Sequence, residues 1–241
     1  MLHHKISGSG EPLVLVHGIL SDMKYWQPIL HDLEQKFQVI RVELIGFGGS
    51  RHIKSDYTLE SQAKALSNLI QQITPDQPVT LVAHSMGSLV SAQVAATHPG
   101  LIKKLFLLNP PVNKSSQQVI DSLKKTNWLY RLALYSPFSR VLWPVVKLLS
   151  RFSNQKLFRY LTHSHSHASR QGALRLIEQT RIADILSRID IPTVIINGRY
   201  DRPEYASNLS LIPEKPNITL IWAETGHHTV HQTPELLLDL L

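Results

Sequence analysis

The stretch Val79-Thr80-Leu81-Val82-Ala83-His84-Ser85-Met86-Gly87-Ser88 decides how the rest of the chain is interpreted. Its first four residues favour a buried strand, and a helical pattern from Leu89 to Ala96 follows the serine at once. A serine at so abrupt a strand-to-helix turn is typical of a nucleophile elbow. The positions two before and two after it must be small, and here they are Ala83 and Gly87. The competing interpretation is that Ser85 is only a helix N-cap, which serine does well.

Length and composition set the frame for this stretch. The chain has 241 residues, 43% hydrophobic and 18% charged, which is typical of a globular protein that buries one sizeable core. It contains no cysteine, so disulfides, thiolate metal sites and cysteine catalysis are excluded. We recognise no secretory signal and no apolar run of about 18 residues, the length needed to span a membrane, so we expect a cytoplasmic protein.

Strand and helix patterns alternate on both flanks of the chain, which predicts the α/β class: a mostly parallel central sheet with helices on both faces. Thr58 is a predicted N-cap for an amphipathic helix that runs from Leu59 to Ile73. The predicted strands are Leu2 to Ser7, Leu13 to Val16, Phe37 to Leu44, Val79 to Val82, Ile102 to Leu108, Pro192 to Ile196 and Ile218 to Trp222. The other predicted helices are Tyr25 to Lys36, Pro203 to Leu211 and Pro234 to Leu241.

The alternation of strand and helix patterns stops between the predicted strands Ile102 to Leu108 and Pro192 to Ile196. We predict that residues 112–185 form an inserted helical cap, rich in aromatic residues, and that residues 1–111 and 186–241 form the core. From Val112 to Arg181 there are twelve lysines and arginines but only two acids, Asp121 and Glu178, so this segment is formally +10. The whole chain is +7, which leaves −3 for the remainder.

A serine nucleophile needs a base, and the base needs an orienting carboxylate. Reactive groups in an open α/β sheet gather beyond the carboxyl ends of the strands. Asp201 follows the strand that ends at Ile196, and His227 follows the strand that ends at Trp222. Taken singly, Asp201 could be an ordinary loop acid, and His227 competes with His228 and His231. Their order after Ser85 and their positions at two strand exits favour a Ser85–His227–Asp201 triad.

The developing oxyanion would need two backbone donors. The amide of Met86, directly after Ser85 and at a helix N-terminus, is the first candidate. The second is the amide of Ile19, in the loop His17-Gly18-Ile19-Leu20, where glycine permits close approach. The alternative is that His17-Gly18 is merely a turn.

With these residues in place, the chain resembles the α/β-hydrolase superfamily, in its small, capped, serine-nucleophile form. The matching pieces are His17-Gly18, Gly46-Phe47-Gly48-Gly49-Ser50, Ala83-His84-Ser85-Met86-Gly87, Gly198-Arg199-Tyr200-Asp201 and Gly226-His227. The sequence departs from the family at Glu43, where aspartate is usual, at Leu44-Ile45, where Leu-Pro is usual, and at Ala83 and Ser88, where glycine is commoner. A serine at the elbow argues against the dehalogenases and epoxide hydrolases of the superfamily, which use aspartate.

The expected function is a serine hydrolase, a carboxylic-ester hydrolase that forms an acyl-enzyme from a small or medium acyl ester or thioester. The alternatives are the same triad used for carbon–carbon bond hydrolysis, lyase or acyl-transfer chemistry, or a ligand sensor with little turnover. We expect no cofactor and no metal, and interpret the run His163-Ser164-His165-Ser166-His167 as an exposed polar loop in preference to a metal site.

The positive charge of the predicted cap has three interpretations, which differ in the partner they imply. The first interpretation is a solvated basic face, the second an anionic or carrier-bound acyl substrate, and the third peripheral contact with an anionic membrane. Nucleic acid is disfavoured as a partner, because no recognition motif accompanies the charge.

Overall fold

The computed structural model describes residues 1–125, 135–136, 144, 148 and 166–241. Within them, seven strands form one sheet in the order β1-β3-β2-β4-β5-β6-β7. Only β1 runs antiparallel, against β3, and every other pairing is parallel. The strands are β1 (His4–Ser7), β2 (Glu11–Val16), β3 (Phe37–Val42), β4 (Val79–His84), β5 (Ile102–Leu108), β6 (Thr193–Gly198) and β7 (Ile218–Ala223). The predicted fold class is confirmed, and every predicted strand is present: β5 has the predicted bounds, and the ends of the others differ by one or two residues.

The described helices are α1 (Gln27–Glu34), α2 (Leu59–Ile73), α3 (Met86–Thr97), α4 (Ser116–Lys125), α5 (His167–Gln179), α6 (Ile182–Leu186), α7 (Pro203–Ser207), α8 (Thr229–Gln232) and α9 (Pro234–Leu240). The predicted bounds of α2 are confirmed, and its Thr58 side chain accepts a hydrogen bond from the Ser61 amide. None of the helices in the described ranges is long and apolar enough to cross a membrane.

Two predicted helices are each divided in two. The stretch predicted from Tyr25 to Lys36 is a 3-10 turn, Met23–Trp26, followed by α1. Pro28 stands in the first turn of α1, where its missing N–H breaks no hydrogen bond, so the helix starts there. Likewise, the stretch predicted from Pro203 to Leu211 is α7 followed by a 3-10 turn, Asn208–Leu211.

The core lies on both faces of the sheet. Successive residues of a strand point to opposite faces, so Val14 and Val16 join one cluster while Leu13 and Leu15 join the other. Apolar residues of α2, α3, α5 and α6 complete the first cluster, and residues of α1, α8 and α9 complete the second. Because β2 to β7 run parallel, their carboxyl ends lie at one edge of the sheet, where the loops after β2, β4, β5, β6 and β7 come together.

Candidate active site

Ser85 occupies a strained turn between β4 and α3. Its backbone has φ 52° and ψ −122°, a region that residues with a side chain rarely adopt. The side chain makes no capping hydrogen bond to α3, so Ser85 does not act as a side-chain N-cap. A Cβ placed at Gly87 would lie 2.5 Å from the His17 carbonyl oxygen, which shows why this position must be glycine. Ser88, one of the departures from the family pattern, donates to the Ala83 carbonyl at 3.1 Å and links the two sides of the turn.

The structure brings Ser85, His227 and Asp201 together from the exits of three strands. His227 Nε2 lies 2.9 Å from Ser85 Oγ. His227 Nδ1 lies 2.9 Å from each oxygen of the Asp201 carboxylate. Because a carboxylate accepts hydrogen bonds, Nδ1 carries the proton and Nε2 is left as an acceptor facing the serine hydroxyl. This is the arrangement in which an imidazole can withdraw a proton from serine.

Asp201 is kept ionised although it is buried. Burial alone would raise the pKa of Asp201, but the electrostatic interaction and hydrogen bond with His227 outweigh it, with further donors from the Arg202 amide and the Asn109 side chain. The Arg202 amide donates to Oδ1 at 2.6 Å, and Asn109 Nδ2 donates to Oδ2 at 3.0 Å. The net effect is a pKa of Asp201 below its ordinary value, so the carboxylate is charged at neutral pH.

Asn109 is a residue of this site that sequence reasoning missed. It follows β5 directly, is fully buried and adopts a positive φ of 48°. Its Nδ2 also donates to the Gly226 carbonyl at 3.2 Å, and its Oδ1 accepts from Thr229 Oγ1 at 2.7 Å. Asn109 therefore joins the loop that carries Asp201 to the loop that carries His227. The available signal was its place at a strand exit, the same criterion that selected Asp201 and His227.

His84, directly before Ser85, also contacts the loop that carries His227. It is 3% exposed, and its Nε2 lies 2.8 Å from the His227 carbonyl oxygen, which must accept, so Nε2 donates. Its ring stacks on Tyr25 with 4.3 Å between centroids. Burial, with the adjacent His227 and His228, holds the pKa of His84 well below its ordinary value, so its ring is neutral at neutral pH.

The competing histidines, His228 and His231, lie beside the Ser85–His227–Asp201 group. His228 is buried against Tyr25 and His84. Burial lowers the pKa of His228 to about 3, with a smaller contribution from the charge of His227. His231 packs against the Tyr25 ring in a T-shaped arrangement, with 4.8 Å between centroids, and burial also lowers its pKa. Of the three neighbouring histidines, His227 is the one that reaches Ser85.

The loop after β2 approaches the serine closely. A Cβ at Gly18 would lie 3.0 Å from Ser85 Cβ, so glycine lets this backbone pass beside Ser85. His17 is fully buried, and its two ring nitrogens lie 2.7 Å from the Gly18 carbonyl oxygen and 3.2 Å from the Leu44 amide. His17 thereby fixes the loop, and Ile19 lies with Ser85 in the lining of one pocket. Met86 is the first residue of α3, so its amide is at the helix N-terminus beside Ser85.

Glu43, the departure from aspartate, has a local structural explanation. Its carboxylate accepts from the Gly49 amide and pairs with His3 Nδ1 at 2.7 Å. Gly48 has a positive φ of 49°, and a Cβ there would collide with the Glu43 carboxylate. Glu43 thus contacts the glycine-rich loop at Gly48 and Gly49 and supports its shape.

The pocket beside Ser85 and His227 is small, with both aliphatic and polar residues in its lining. Its other lining residues within the described ranges are Ile19, Val119, Leu174, Ile177, Arg202 and Tyr205. Val119 belongs to α4, and Leu174 and Ile177 belong to α5, so the predicted cap segment contributes directly to this pocket. No group of three or more potential metal ligands occurs within the described ranges. Of the histidine-rich run, residues 163–165 lie outside them, while Ser166 caps α5 and His167 begins it.

Comparison with known proteins identifies the family. A family model described as alpha/beta hydrolase fold matches residues 11–234. The chain belongs to the alpha/beta hydrolase family. The relatives and solved structures that it resembles include hydrolases. The resemblance to this family that the sequence motifs indicated is therefore confirmed.

Three relatives illustrate the range of this similarity. The chain is 25% identical to the (E)-2-((N-methylformamido)methylene)succinate hydrolase of Acinetobacter baylyi, over 96% of this chain and 88% of that protein. It is 29% identical to the pimeloyl-[acyl-carrier protein] methyl ester esterase of Pseudoalteromonas atlantica, over 86% of this chain and 80% of that protein. A hydrolase structure from Pseudomonas aeruginosa superposes with a TM-score of 0.79 at 21% identity, covering 99% of this chain and 91% of that one, which shows the shared fold.

Proposed function

We propose that this protein is a serine hydrolase that cleaves carboxylic esters or thioesters through an acyl-enzyme. The observation that supports this most directly is the continuous hydrogen-bonded chain from Ser85 Oγ through His227 to the ionised Asp201. The strained backbone of Ser85 is a second support, because strain of this kind persists where a side chain must be held for function.

In the proposed cycle, Ser85 Oγ attacks the acyl carbonyl as its proton passes to His227 Nε2. Asp201 stabilises the resulting imidazolium and keeps it oriented. The amides of Ile19 and Met86 would donate to the oxyanion of the tetrahedral intermediate. His227 then protonates the departing alcohol or thiol, leaving the acyl group on Ser85. A water molecule gives its proton to His227 as it attacks the acyl-enzyme, and His227 then returns that proton to Ser85 Oγ as the bond to the acyl group breaks and the acid is released.

The relatives support ester hydrolysis first and amide hydrolysis second. One is named for a methyl ester carried on acyl-carrier protein, so an ester substrate, small or carrier-bound, is the leading proposal. Another is named as a hydrolase of a formamido compound, which favours carbon–nitrogen cleavage by the same triad as the second candidate. Product analysis separates the two, because an amide releases an amine where an ester releases an alcohol.

We also propose that residues 112–185 act as a cap that selects the acyl group. The support comes from α4 and α5, whose Val119, Leu174 and Ile177 lie in the pocket beside Ser85. Asn113 Nδ2 donates to the Ile177 carbonyl at 3.3 Å, and Ser116 Oγ donates to the Glu178 carbonyl at 3.2 Å. These bonds fix α5 to the segment that follows β5. The predicted aromatic residues of the segment, apart from the exposed Tyr135, lie outside the described residues.

The test is hydrolysis of a panel of p-nitrophenyl esters from acetyl to octanoyl by the wild-type protein and by Ser85→Ala. Loss of the triad nucleophile should lower kcat by about 10⁴-fold or more with the fold intact. Ser210→Ala, which changes an exposed serine, is the matched control and should hydrolyse like wild type. Equal activity of Ser85→Ala and wild type, or a wild type inactive on the whole panel, would contradict the proposal.

A further inference from the structure

The two faces of α5 border two different cavities. Leu174 and Ile177 line the pocket beside Ser85. A second cavity, a cleft of about 820 Å³, is lined from α5 by Gly172, Arg175, Leu176 and Gln179. With about 3.6 residues per turn, the two sets lie on opposite faces of the helix. The cleft is therefore separate from the pocket beside Ser85, and its volume lies within the range of about 300–1,000 Å³ that small-molecule sites have.

The first turn of α2 and the loop before it give the cleft two acids. Asp56 lies in that loop and Glu60 in the first turn, and both are exposed. The Asp56 carboxylate accepts hydrogen bonds from the Thr58 amide at 3.2 Å and from the Thr58 hydroxyl at 3.1 Å. Hydrogen bonds from Ser61 and Thr58 lower the pKa of Asp56 to about 2, so this carboxylate is ionised at neutral pH.

The helix α5 and the residues around α6 give the cleft three arginines. Arg175 is on α5, and Arg181 and Arg188 stand before and after α6. Arg181 is held in place by hydrogen bonds to two main-chain carbonyls and a serine hydroxyl, whereas Arg175 and Arg188 are exposed. Among the described residues, no ion pair joins these arginines to Asp56 or Glu60. Charges of both signs therefore line one cleft without pairing across it.

The cleft has an apolar floor and a strained residue in its lining. Leu176 and Ile185 are buried members of the core, and Leu59 packs against that core half-buried. A Cβ at Gly172 would collide with the Cβ of Tyr57, so α5 and the loop before α2 are in direct contact. Tyr57 has a positive φ of 59°, in the left-handed region that a tyrosine rarely adopts. Strain of this kind persists where the surrounding structure holds it, and it clusters at ligand sites.

We propose that the cleft binds a small zwitterion whose ammonium and carboxylate are separated by several methylene groups. The ammonium pairs with Asp56 and Glu60, and the carboxylate accepts the paired donors of the exposed Arg175. The methylene groups cover the apolar floor, which removes apolar surface from water. A ligand of one charge would satisfy the acids or the arginines but not both. This inference goes beyond the proposed hydrolase function and does not rest on it, because the zwitterion is a ligand and not a substrate of the triad.

Titration with ω-amino acids of three lengths tests the inference. The probes are 4-aminobutanoate, 6-aminohexanoate and 8-aminooctanoate, added to isotope-labelled protein at low ionic strength while amide NMR signals report the fraction bound. We expect at least one of them to bind saturably, with a Kd of about 1–10 mM. The alkanoate and the alkylamine of the same chain length, which each lack one charge, should bind at least about 5-fold more weakly. No saturable binding of any of the three, or equal binding of an amino acid and both of its singly charged analogues, would overturn the inference.

Variants assign each end of the ligand to one side of the cleft. Arg175→Gln should weaken binding of the amino acid about 2- to 5-fold and leave binding of the alkylamine unchanged. Glu60→Gln should weaken binding of the amino acid to a similar extent and leave binding of the alkanoate unchanged. The matched controls are Arg51→Gln, at an exposed arginine of another loop, and Glu235→Gln, at an exposed first-turn glutamate of α9. Equal losses of affinity in the controls would show non-specific attraction by net charge and would overturn the assignment.

The same NMR signals locate the ligand. The amides that shift should belong to the start of α2, to α5 and to the residues around α6, and Ser85→Ala should bind the amino acid as tightly as wild type. Shifts confined to the loops that carry Asp201 and His227 would place the ligand in the pocket beside Ser85 and would overturn the inference. Because the substitutions in the cleft are at exposed positions, each variant should melt within about 2 °C of wild type, which circular dichroism checks.

Discussion

Asn109→Ala removes three hydrogen bonds at the junction of the two loops that position Asp201 and His227. One bond goes to the ionised Asp201, one to the Gly226 carbonyl, and one is accepted from Thr229. A neutral hydrogen bond stabilises a protein by about 0.5–1.5 kcal/mol and one to a charged group by about 1.5–3 kcal/mol. For this fully buried side chain we expect the free energy of unfolding to fall by about 3–5 kcal/mol.

The same change should weaken the reaction. Asp201 loses the hydrogen bond that Asn109 donates to Oδ2, so its carboxylate and the paired His227 are oriented less well. Since small displacements of a catalytic group are costly, we expect kcat to fall by about 10- to 100-fold with little change in KM. The assays are steady-state hydrolysis of a p-nitrophenyl ester and urea unfolding followed by circular dichroism.

The pH dependence of the stability difference between Asn109→Ala and wild type is a second test, because its direction is predicted. The pKa of Asp201 is lowered in the folded protein, so its ionisation contributes stability that is present above the unfolded pKa and lost as pH falls through the folded pKa. Removing the Asn109 donor raises the folded pKa and reduces that contribution. The stability difference between variant and wild type should be full at neutral pH and shrink below about pH 4.

Asn68→Ala is the control for Asn109→Ala, since Asn68 is an exposed asparagine on α2. It should be as active as wild type and unfold within about 0.5 kcal/mol of it. If Asn109→Ala kept its activity within twofold and its stability within that same margin, the role assigned to Asn109 as a link between the two loops would be refuted.

Three further predictions concern the surroundings of the serine. His84→Phe removes the donor to the His227 carbonyl and should lower kcat about 10-fold at unchanged KM, and His84→Gln should recover part of the loss in steady-state kinetics. Gly87→Ala places a Cβ against the His17 carbonyl oxygen and should destabilise the fold by about 2 kcal/mol or more in thermal unfolding; an unchanged melting temperature would contradict the tight turn. His228, whose pKa is about 3 when folded, binds its proton more readily when unfolded, so stability should fall as pH drops from about 6.5 towards 3. His228→Leu should make that fall shallower by about 1.4 kcal/mol per pH unit, and an unchanged slope in acid-urea titrations would contradict the burial of a neutral His228.

The sequence was most informative for features that follow from neighbouring residues or from the geometry of a parallel sheet. The bounds of α2 follow from a 3.6-residue apolar pattern and a threonine cap, both of which depend on neighbouring residues alone. The convergence of Ser85, Asp201 and His227 follows from a different rule, because parallel strands deliver their exits to one edge of the sheet. Their use in catalysis stays a prediction until an activity is measured.

Other features could not be predicted because they depend on distant contacts. Asn109 contacts partners 92 and 120 positions away in the chain, and followed by two prolines it resembled an ordinary strand end. The positive φ of Ser85 and its 2.9 Å contact with a histidine 142 positions away are likewise visible only in the folded chain.

Covalent labelling tests the central claim most directly. A fluorophosphonate reacts with a serine activated by a neighbouring base, and the modified residue is then located by peptide mass spectrometry. We predict one label per chain, on Ser85, with labelling much slowed in His227→Gln and absent in Ser85→Ala. Failure of the wild-type protein to react, or a label on any other residue that persists in Ser85→Ala, would contradict the assignment of Ser85 as the nucleophile.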